Sequence, residues 1–185
     1  YFLDFAYGMV IRTYQIDNTM LTRLESAVEL QFERPANFDR FKAAYIYINV
    51  PWISKYEWHA FTVYENPNDP DLMSLCIAKN GDWTNKLHEA VKQPVVRPTW
   101  VLGPFDSPFR ETGNYDHIFV IASGIGITPS VSIMNSYNRT RRVYLLWSIR
   151  DASLAEWFLD SIQFDDDSWN IIFYTGKREL VLGRK

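Results

Sequence analysis

The sequence is poor in several features that would each indicate a particular class of protein. Cys76 is the only cysteine among 185 residues, which excludes a disulfide within the chain and disfavours a zinc site with cysteine ligands. The 19 basic and 22 acidic residues give a net charge of −3, so nothing indicates a nucleic-acid partner. No apolar run reaches the roughly 18–20 residues that a membrane-spanning helix requires. There are no internal repeats and no low-complexity linker.

Apolar and aromatic residues are plentiful, at 47% and 16% of the chain. This composition predicts well-packed strands rather than disorder, in one large domain or two small ones. Cys76 lies in a strand-like run and is predicted to be a small core residue.

The first residues, YFLDFAYGMVIRTY (1–14), predict a half-apolar helix that carries Asp4 and Arg12. They have no basic start and no small-residue cleavage site, so they do not form a signal peptide. Two interpretations stay open: the end of a longer apolar element, or a terminal helix that packs on its own domain.

Residues 19–112 have the pattern of an antiparallel β-barrel, because short strands alternate with turns. One short helix is predicted within 83–91, and a loop rich in turn residues within 65–71. The predicted strands are 22–32, 45–50, 60–64, 72–78 and 98–102, the last ending at Gly103-Pro104.

Residues 113–185 alternate between strands and helices, which predicts βαβ units and a parallel sheet. The strands are expected at 116–122, 142–149 and 169–175, and the helices at 128–138 and 154–164. The first of these, 116–122, is mostly aliphatic and aromatic and is predicted to be a short buried strand. Asp165, Asp166 and Asp167 lie between elements with no other ligands near them, so we predict a solvated loop and no metal site.

The turn Gly124-Ile125-Gly126-Ile127-Thr128-Pro129 joins the strand 116–122 to a helix. Such a turn brings backbone N–H groups and a helix N-terminus to a phosphate, and Pro129 is tolerated in the first helical turn. The sequence favours a nucleotide-binding turn here over an ordinary strand-to-helix connection.

Six segments in sequence resemble motifs of the NADPH oxidases. They are EWHAFTV (57–63), GDWT (81–84), GPF (103–105), GIGITP (124–129), LWSIRD (146–151) and EWF (156–158). The related ferric reductases share most of these motifs. The combination of EWH, GDWT and EWF favours the oxidases.

The resemblance implies an antiparallel β-barrel FAD-binding domain (19–112) followed by a Rossmann-like α/β NADPH-binding domain (113–185) that is included only in part. Residues 1–18 would be a helix tail and linker after a transmembrane haem domain of the same parent protein. Beyond 175 the family continues to a cysteine-containing segment and a C-terminal aromatic residue, which this chain does not include; Leu182, Gly183 and Arg184 faintly resemble a further family element.

The activity so implied is electron transfer from NADPH through FAD to haem and then O2, by a module on the cytosolic face of a membrane, with regulatory subunits as further partners. A ferric-chelate reductase is the first alternative. A structural or regulatory subunit that keeps the fold without flavin is the second.

Site residues follow from the same motifs. The flavin would lie along His59, Ala60, Phe61, Thr62 and Val63, with Thr62 near flavin N5, and its pyrophosphate at Gly81, Asp82, Trp83 and Thr84, assisted by Lys79. NADPH would bind at Gly124, Gly126, Ile127, Thr128 and Pro129. The coenzyme would also contact residues at or after the ends of later strands, namely Ser148, Arg150, Lys177 and Arg178. Because the 2′-phosphate of NADPH needs cations there, the three basic residues favour NADPH over NADH.

Each assignment has a simpler alternative: a half-buried strand histidine at 59, a plain helix capped by Asp82 or Thr84, a solvated Lys79, and scattered surface charges at 150, 177 and 178. Four positions also depart from the family pattern. Ala60 replaces a proline, Ala78 an arginine and Ser148 a cysteine, while Glu65 replaces a small hydroxyl residue and would repel an FAD phosphate if it pointed inward.

Overall fold

A computed structural model of the protein describes residues 2–38, 43–66, 69–137 and 140–183, with side chains from residue 7 onward. Its first lobe contains a helix, seven strands and a second helix. The elements are α1 (Phe2–Ile11), β1 (Thr13–Arg23), β2 (Ala27–Glu33), β3 (Tyr45–Asn49), β4 (His59–Thr62), β5 (Tyr64–Asn66), β6 (Asp69–Ala78), α2 (Asp82–Ala90) and β7 (Val95–Phe105).

The seven strands form one antiparallel sheet in the order β4-β3-β7-β1-β2-β6-β5. Strands β4 and β5 are consecutive in the chain but lie at opposite edges of this sheet. Only Val63 separates them, and its N–H donates to Ala44 O at 3.1 Å. One extended segment therefore serves both edges, and the sheet curls into the nearly closed barrel that the sequence predicts.

The barrel interior is filled by the inward side chains of all the long strands, including Val28, Leu30, Ile48, Leu75 and Val101, and by Leu87 of α2. On the outer side of β2 and β6, Ala27 and Cys76 are buried instead against the second lobe. Cys76 is 4% exposed, so the prediction of a core cysteine is confirmed.

Four strand boundaries differ from the sequence prediction. The predicted strand 22–32 is two strands, because Leu24 N donates to Ala27 O at 2.9 Å and turns the chain. Strand β1 begins at Thr13, inside the segment expected to be a helix tail and linker, since it pairs along its length with β7. Strand β7 continues through Gly103-Pro104 because a register shift against β3 accommodates them. The segment 60–64 is divided at Val63 between β4 and β5.

The predicted loop 65–71 is shorter than expected, because Asn66 and Asp69 already pair across the hairpin. Residues 67 and 68 of that loop lie outside the described residues, as do Tyr1, Asn138 and Arg184 of other predicted segments.

The second lobe begins with a 3₁₀ segment and continues as the predicted alternation. Its elements are the 3₁₀ segment Pro108–Asn114, β8 (His117–Ser123), the 3₁₀ turn Gly124–Ile127, α3 (Thr128–Tyr137), β9 (Arg142–Ile149), α4 (Ala152–Ser161) and β10 (Asn170–Tyr174). The three strands are parallel in the order β10-β9-β8. Asp151 starts α4 two residues early by accepting from Leu154 N at 3.0 Å.

Within the described residues, one face of this sheet is covered and the other is exposed. Val120, Leu145 and Trp147 pack on α3 and α4, whereas Phe119 and Ile121 on the opposite face are 64% and 78% exposed. Strand β8, predicted to be a short buried strand, is therefore buried at every second residue in the described part of the chain, because α3 and α4 lie on the same side of the sheet.

The lobes are joined by direct hydrogen bonds. Ser132 Oγ of α3 donates to Val63 O at 3.1 Å, and Asn135 Nδ2 donates to Glu65 O at 3.1 Å. Ser26 Oγ donates to the Asp151 carboxylate. These contacts hold α3 beside β4 and β5 and leave a cleft between the lobes. Among the described helices, none has the length and apolarity needed to cross a bilayer.

Candidate functional site

A cleft of about 630 Å³ lies between the lobes and is lined by residues of both. Most of the predicted nucleotide-binding residues meet there. From the barrel they are His59, Ala60, Phe61, Thr62, Gly81, Asp82, Trp83 and Thr84, and from the second lobe Gly126, Thr128 and Pro129. Asn80 and Ile125 also line the cleft, although neither was predicted to be a ligand. Each is next to a glycine that was predicted to bind, and this position in the sequence could have indicated them.

Several predicted residues do not line this cleft. The side chains of Val63 and Ile127 are buried in the two lobe cores, at 2% and 0% exposed. Each directly follows a residue that lines the cleft, Thr62 or Gly126, and points the other way. Lys79 is exposed outside the cleft lining, as the simpler alternative proposed. Ser148 lies on the uncovered face of the sheet, where it pairs with Ser123 of β8.

An aromatic wall forms one side of the cleft. The Trp83 ring lies 4.3 Å from the His59 ring and 6.3 Å from the Phe61 ring, measured between centroids. Trp83 is 6% exposed, and its buried Nε1 has no hydrogen-bond partner among the described residues. The His59 side chain remains 37% exposed and its Nε2 lies 3.4 Å from Glu57 Oε2. This wall offers flat apolar surface and little competing polarity to a bound ring system.

The N-terminus of α2 faces the same cleft. Thr84 Oγ1 accepts hydrogen bonds from Asn80 N at 2.8 Å and Gly81 N at 2.9 Å, so Thr84 and not Asp82 is the capping side chain. The following N–H groups of the first helical turn have no partner within the helix. Together with the helix dipole they form a site suited to an anion.

The turn after β8 supplies the opposite side of the cleft through Ile125, Gly126, Thr128 and Pro129, whereas the predicted Gly124 is not part of the cleft lining. Gly124 has a φ of +53°, which favours glycine, and its carbonyl accepts from Trp147 Nε1 at 3.0 Å. A Cβ built on Gly124 or Gly126 would meet nothing within 4 Å. The buried Trp147 therefore fixes the turn while the space beside the glycines stays open. Trp147 thus holds the turn in place, a role that was not predicted from its place in the motif at 146–151.

A second pocket of about 370 Å³ lies at the carboxyl ends of β9 and β10, and Arg150, Lys177 and Arg178 line it. Arg178 is already engaged, because its two terminal nitrogens lie 2.9 Å from the two carboxylate oxygens of Glu156. This arginine lowers the pKa of Glu156. Arg150 and Lys177 form no ion pair with any residue in the described ranges. They are the cations available to an anionic ligand.

Glu65 does not point into the cleft. Its Oε1 lies 2.8 Å from Arg34 Nη2, and it is not among the cleft-lining residues. The repulsion of an FAD phosphate that an inward Glu65 would cause is therefore absent. Ala60 and Ala78 do line the cleft, where they present methyl groups.

Two buried ionisable groups, Glu29 and Cys76, lie opposite each other on β2 and β6, and Cys76 forms part of the cleft lining. Burial raises the pKa of Glu29 to about 7, although a hydrogen bond from Gln31 lowers it in part. Burial and the nearby Glu29 and Asp151 raise the pKa of Cys76, so its thiol stays protonated and unreactive at neutral pH.

Glu29→Gln is expected to stabilise the protein in a pH-dependent way. Because the pKa of Glu29 is about 7 in the folded state against 4.5 for the ordinary group, stability falls as the pH rises from about 4.5 to 7 and then levels off. The variant lacks this loss, so its advantage in the free energy of unfolding grows from near zero at about pH 4 to about 3 kcal/mol at about pH 8. Urea unfolding at a series of pH values measures it. Glu33→Gln, at an exposed position of the same strand, is the control, and a pH-independent difference would contradict the prediction.

Comparison with known families agrees with this geometry. The family model of an FAD-binding domain matches residues 12–139, and that of a ferric reductase NAD binding domain matches residues 115–180. NADPH oxidase 5 of Homo sapiens is 26% identical over 86% of this chain and 29% of its own length. NADPH oxidase 4 of Rattus norvegicus is 30% identical over 67% and 25%, and ferric reduction oxidase 8, mitochondrial, of Arabidopsis thaliana is 28% identical over 67% and 19%. The chain thus spans less than a third of each of these relatives.

Solved structures share the fold at low identity. A ferredoxin reductase in carbazole 1,9a-dioxygenase has a TM-score of 0.67 at 17% identity, covering 92% of this chain and 54% of that one. A ferredoxin NADP+ reductase from Neisseria gonorrhoeae, with bound FAD and NADP, has a TM-score of 0.62 at 13% identity, covering 94% and 74%. A barrel followed by a parallel α/β lobe is the shared architecture.

Proposed function

Because this chain belongs to the family of NADPH oxidases and ferric reductases, as an electron-transfer module that uses FAD and NADPH, we propose that it delivers electrons from NADPH through FAD to a haem and finally to O2. The haem would be held by a transmembrane domain of the same parent protein. The observation that supports this best is the single cleft to which both lobes contribute nucleotide-binding segments.

The residues present fit both cofactors. The volume of about 630 Å³ lies within the range of roughly 300–1,000 Å³ usual for ligand sites. The aromatic wall is apolar where a flavin ring would lie, and the two glycine turns leave open space where pyrophosphates would approach. The Glu65 carboxylate would repel an FAD phosphate if it pointed into the cleft, but it is paired with Arg34 instead.

FAD would accept a hydride from NADPH and release electrons singly, which no side chain of the protein can do. The protein would bind FAD, orient its ring system and shield it from water. Trp83, with His59 and Phe61, would exclude water from one side of the ring system. Thr62 lines the cleft and its hydroxyl has no partner in the described part of the chain, so it is free to hydrogen-bond the flavin near N5.

Two anion sites would hold the phosphates. The first turn of α2 would take the FAD pyrophosphate, and the turn at 124–129 the NADPH pyrophosphate. Arg150 and Lys177 would bind the 2′-phosphate that distinguishes NADPH from NADH, while Arg178 stays with Glu156.

The domain division that we propose keeps an FAD-binding domain to residue 112 and an NADPH-binding domain from 113, with the barrel starting at Thr13 instead of 19. Helix α1 would continue from the transmembrane part, and the module would lie on the cytosolic face, where regulatory subunits would act.

A ferric-chelate reductase is the second candidate, favoured by the match of residues 115–180 to a ferric reductase NAD binding domain. It would use the same cleft and differ only in the final acceptor. Superoxide or Fe(II) formation by the parent protein distinguishes the two. A structural subunit without flavin is the remaining alternative, and it predicts no FAD binding.

Anaerobic titration tests the proposal. The purified chain with excess FAD should lose the flavin absorbance when NADPH is added, and more slowly with NADH. In the double variant Arg150→Ala/Lys177→Ala, the KM for NADPH should rise by about 100-fold, which corresponds to about 1.4 kcal/mol for each lost phosphate contact, with kcat and the NADH reaction little changed.

Lys92→Ala, at an exposed lysine outside both pockets, serves as the control and should behave like the unchanged protein. Absence of flavin binding, or binding without reduction by either coenzyme, would overturn the proposed function. An equal loss with NADPH and NADH in the double variant would refute the phosphate assignment alone.

A further inference from the structure

Several exposed apolar side chains lie on the outer side of the barrel, away from the second lobe. We define the Trp100 face as Tyr7, Val10, Met20, Tyr56, Val96 and Trp100. All six side chains are large and apolar or aromatic, and all are exposed, from 37% for Trp100 to 89% for Tyr56. Isolated exposed apolar residues are ordinary, but a contiguous group marks a site of interaction.

The backbone places these residues together. Trp100 pairs across the sheet with Gln15 of β1 and Asn49 of β3, and Val96 of the same strand pairs with Met20. The end of α1 lies against Trp100, since Met9, Val10, Thr13 and Trp100 line one groove of about 340 Å³. Thr13 Oγ1 donates to Met9 O at 2.6 Å, and Gly103 N donates to Arg12 O at 3.0 Å, which fixes α1 to the barrel.

Tyr56 is held at the same face through Asn49. Asn49 Nδ2 donates to Ser54 O at 3.0 Å and to Glu57 O at 2.8 Å, so both ends of the segment 54–57 are tied beside the strand that pairs with Trp100. This segment leads within two residues into β4, whose side chains line the flavin cleft. The segment 54–58 therefore connects the Trp100 face to the candidate site.

The charges around the face differ in how they are paired. Arg12, Lys55 and Arg97 are exposed and form no ion pair with any described residue, and the Arg97 guanidinium lies 5.9 Å from the Trp52 ring. Two carboxylates lie nearby: Asp17 accepts from Gln15 Nε2 at 2.8 Å, and Glu57 accepts from Ser54 Oγ at 3.1 Å. These neutral donors leave both carboxylates charged. The three cations therefore give this surface a small excess of positive charge, although the chain as a whole is negative.

From this combination we propose that the Trp100 face docks on an anionic lipid bilayer. Tyrosine and tryptophan favour the headgroup region, where one side of the ring is apolar and the other wet, and unpaired arginine and lysine are attracted to anionic headgroups. A second copy of the chain would bring the same unpaired cations together, which disfavours self-association. The inference rests on the proposed function in one respect, that the module works beside a membrane.

A fluorophore attached to one engineered cysteine tests the contact. Cys76 is buried, so Tyr56→Cys directs a thiol-reactive nitrobenzoxadiazole probe to the face. Vesicles of phosphatidylcholine with about one third phosphatidylserine should shift its emission to the blue and raise its intensity several-fold. Phe119→Cys places the probe on the exposed sheet face of the other lobe and should give no change.

Lys55→Gln/Arg97→Gln should weaken vesicle binding about tenfold or more, since each basic residue near an anionic surface contributes to attraction. No response at position 56, an equal response at 119, or binding that is unaffected by the charge variant would overturn the docking. Flavin reduction by NADPH needs no vesicles, so its persistence in that case would leave the proposed function intact.

Discussion

Gly126→Val is expected to weaken NADPH-dependent flavin reduction severely while the protein stays folded. A Cβ on Gly126 meets no atom within 4 Å, and Gly126 is not among the residues with positive φ. The fold therefore has room for a β-carbon at this position. It would occupy the space of the cleft where the coenzyme pyrophosphate would approach the backbone, so we expect the KM for NADPH to rise by 100-fold or more, about 3 kcal/mol of lost binding.

Steady-state reduction with NADPH and thermal unfolding without cofactors measure the two halves of this prediction. Gly8→Val is the matched control, since a Cβ added at Gly8 also meets nothing within 4 Å, but Gly8 lies on α1. Gly124→Ala is the contrasting variant, because its φ of +53° makes any side chain strained. If Gly126→Val reduced flavin normally, the glycine turn would not be the coenzyme site.

The features that the sequence predicted well are local ones. The turn at 124–129, the helix after Gly81 and the alternation of the second lobe each depend on a few neighbouring residues, whose chemistry suffices to specify a turn or a cap. The structure then brings the two turns to one cleft, which follows from the way α3 packs beside β4 and β5.

The features that were missed depend on residues far apart in the chain. Strand β1 was overlooked because Gln15, Asp17 and Asn18 interrupt its apolar pattern, and only its pairing with β7 makes it a strand. The direction of Glu65 is decided by Arg34, and the engagement of Arg178 by Glu156, which are 31 and 22 residues away. Local pattern carries no information on such partners.

Trp83→Ala is expected to have the largest effect on stability. Trp83 is 6% exposed and packs on His59, Phe61 and the barrel core. Truncating a buried tryptophan removes its contacts and leaves a cavity, which costs about 3–5 kcal/mol, a large fraction of the roughly 5–15 kcal/mol that is typical of a whole domain. Urea unfolding in the absence of FAD measures this cost, and Trp100→Ala, at a position 37% exposed, should cost much less.

Trp83→Phe separates packing from polarity at the same position. The buried Nε1 of Trp83 has no hydrogen-bond partner among the described residues, and an unsatisfied buried donor costs about 1–3 kcal/mol. Phenylalanine loses part of the buried area but also removes this donor, so the variant should lose about 1 kcal/mol or less. Binding of FAD, followed by flavin fluorescence quenching, should weaken strongly in Trp83→Ala and little in Trp83→Phe, since the phenyl ring preserves the aromatic wall. Equal destabilisation by both substitutions would mean that the indole N–H is satisfied in solution and that the wall tolerates no smaller ring.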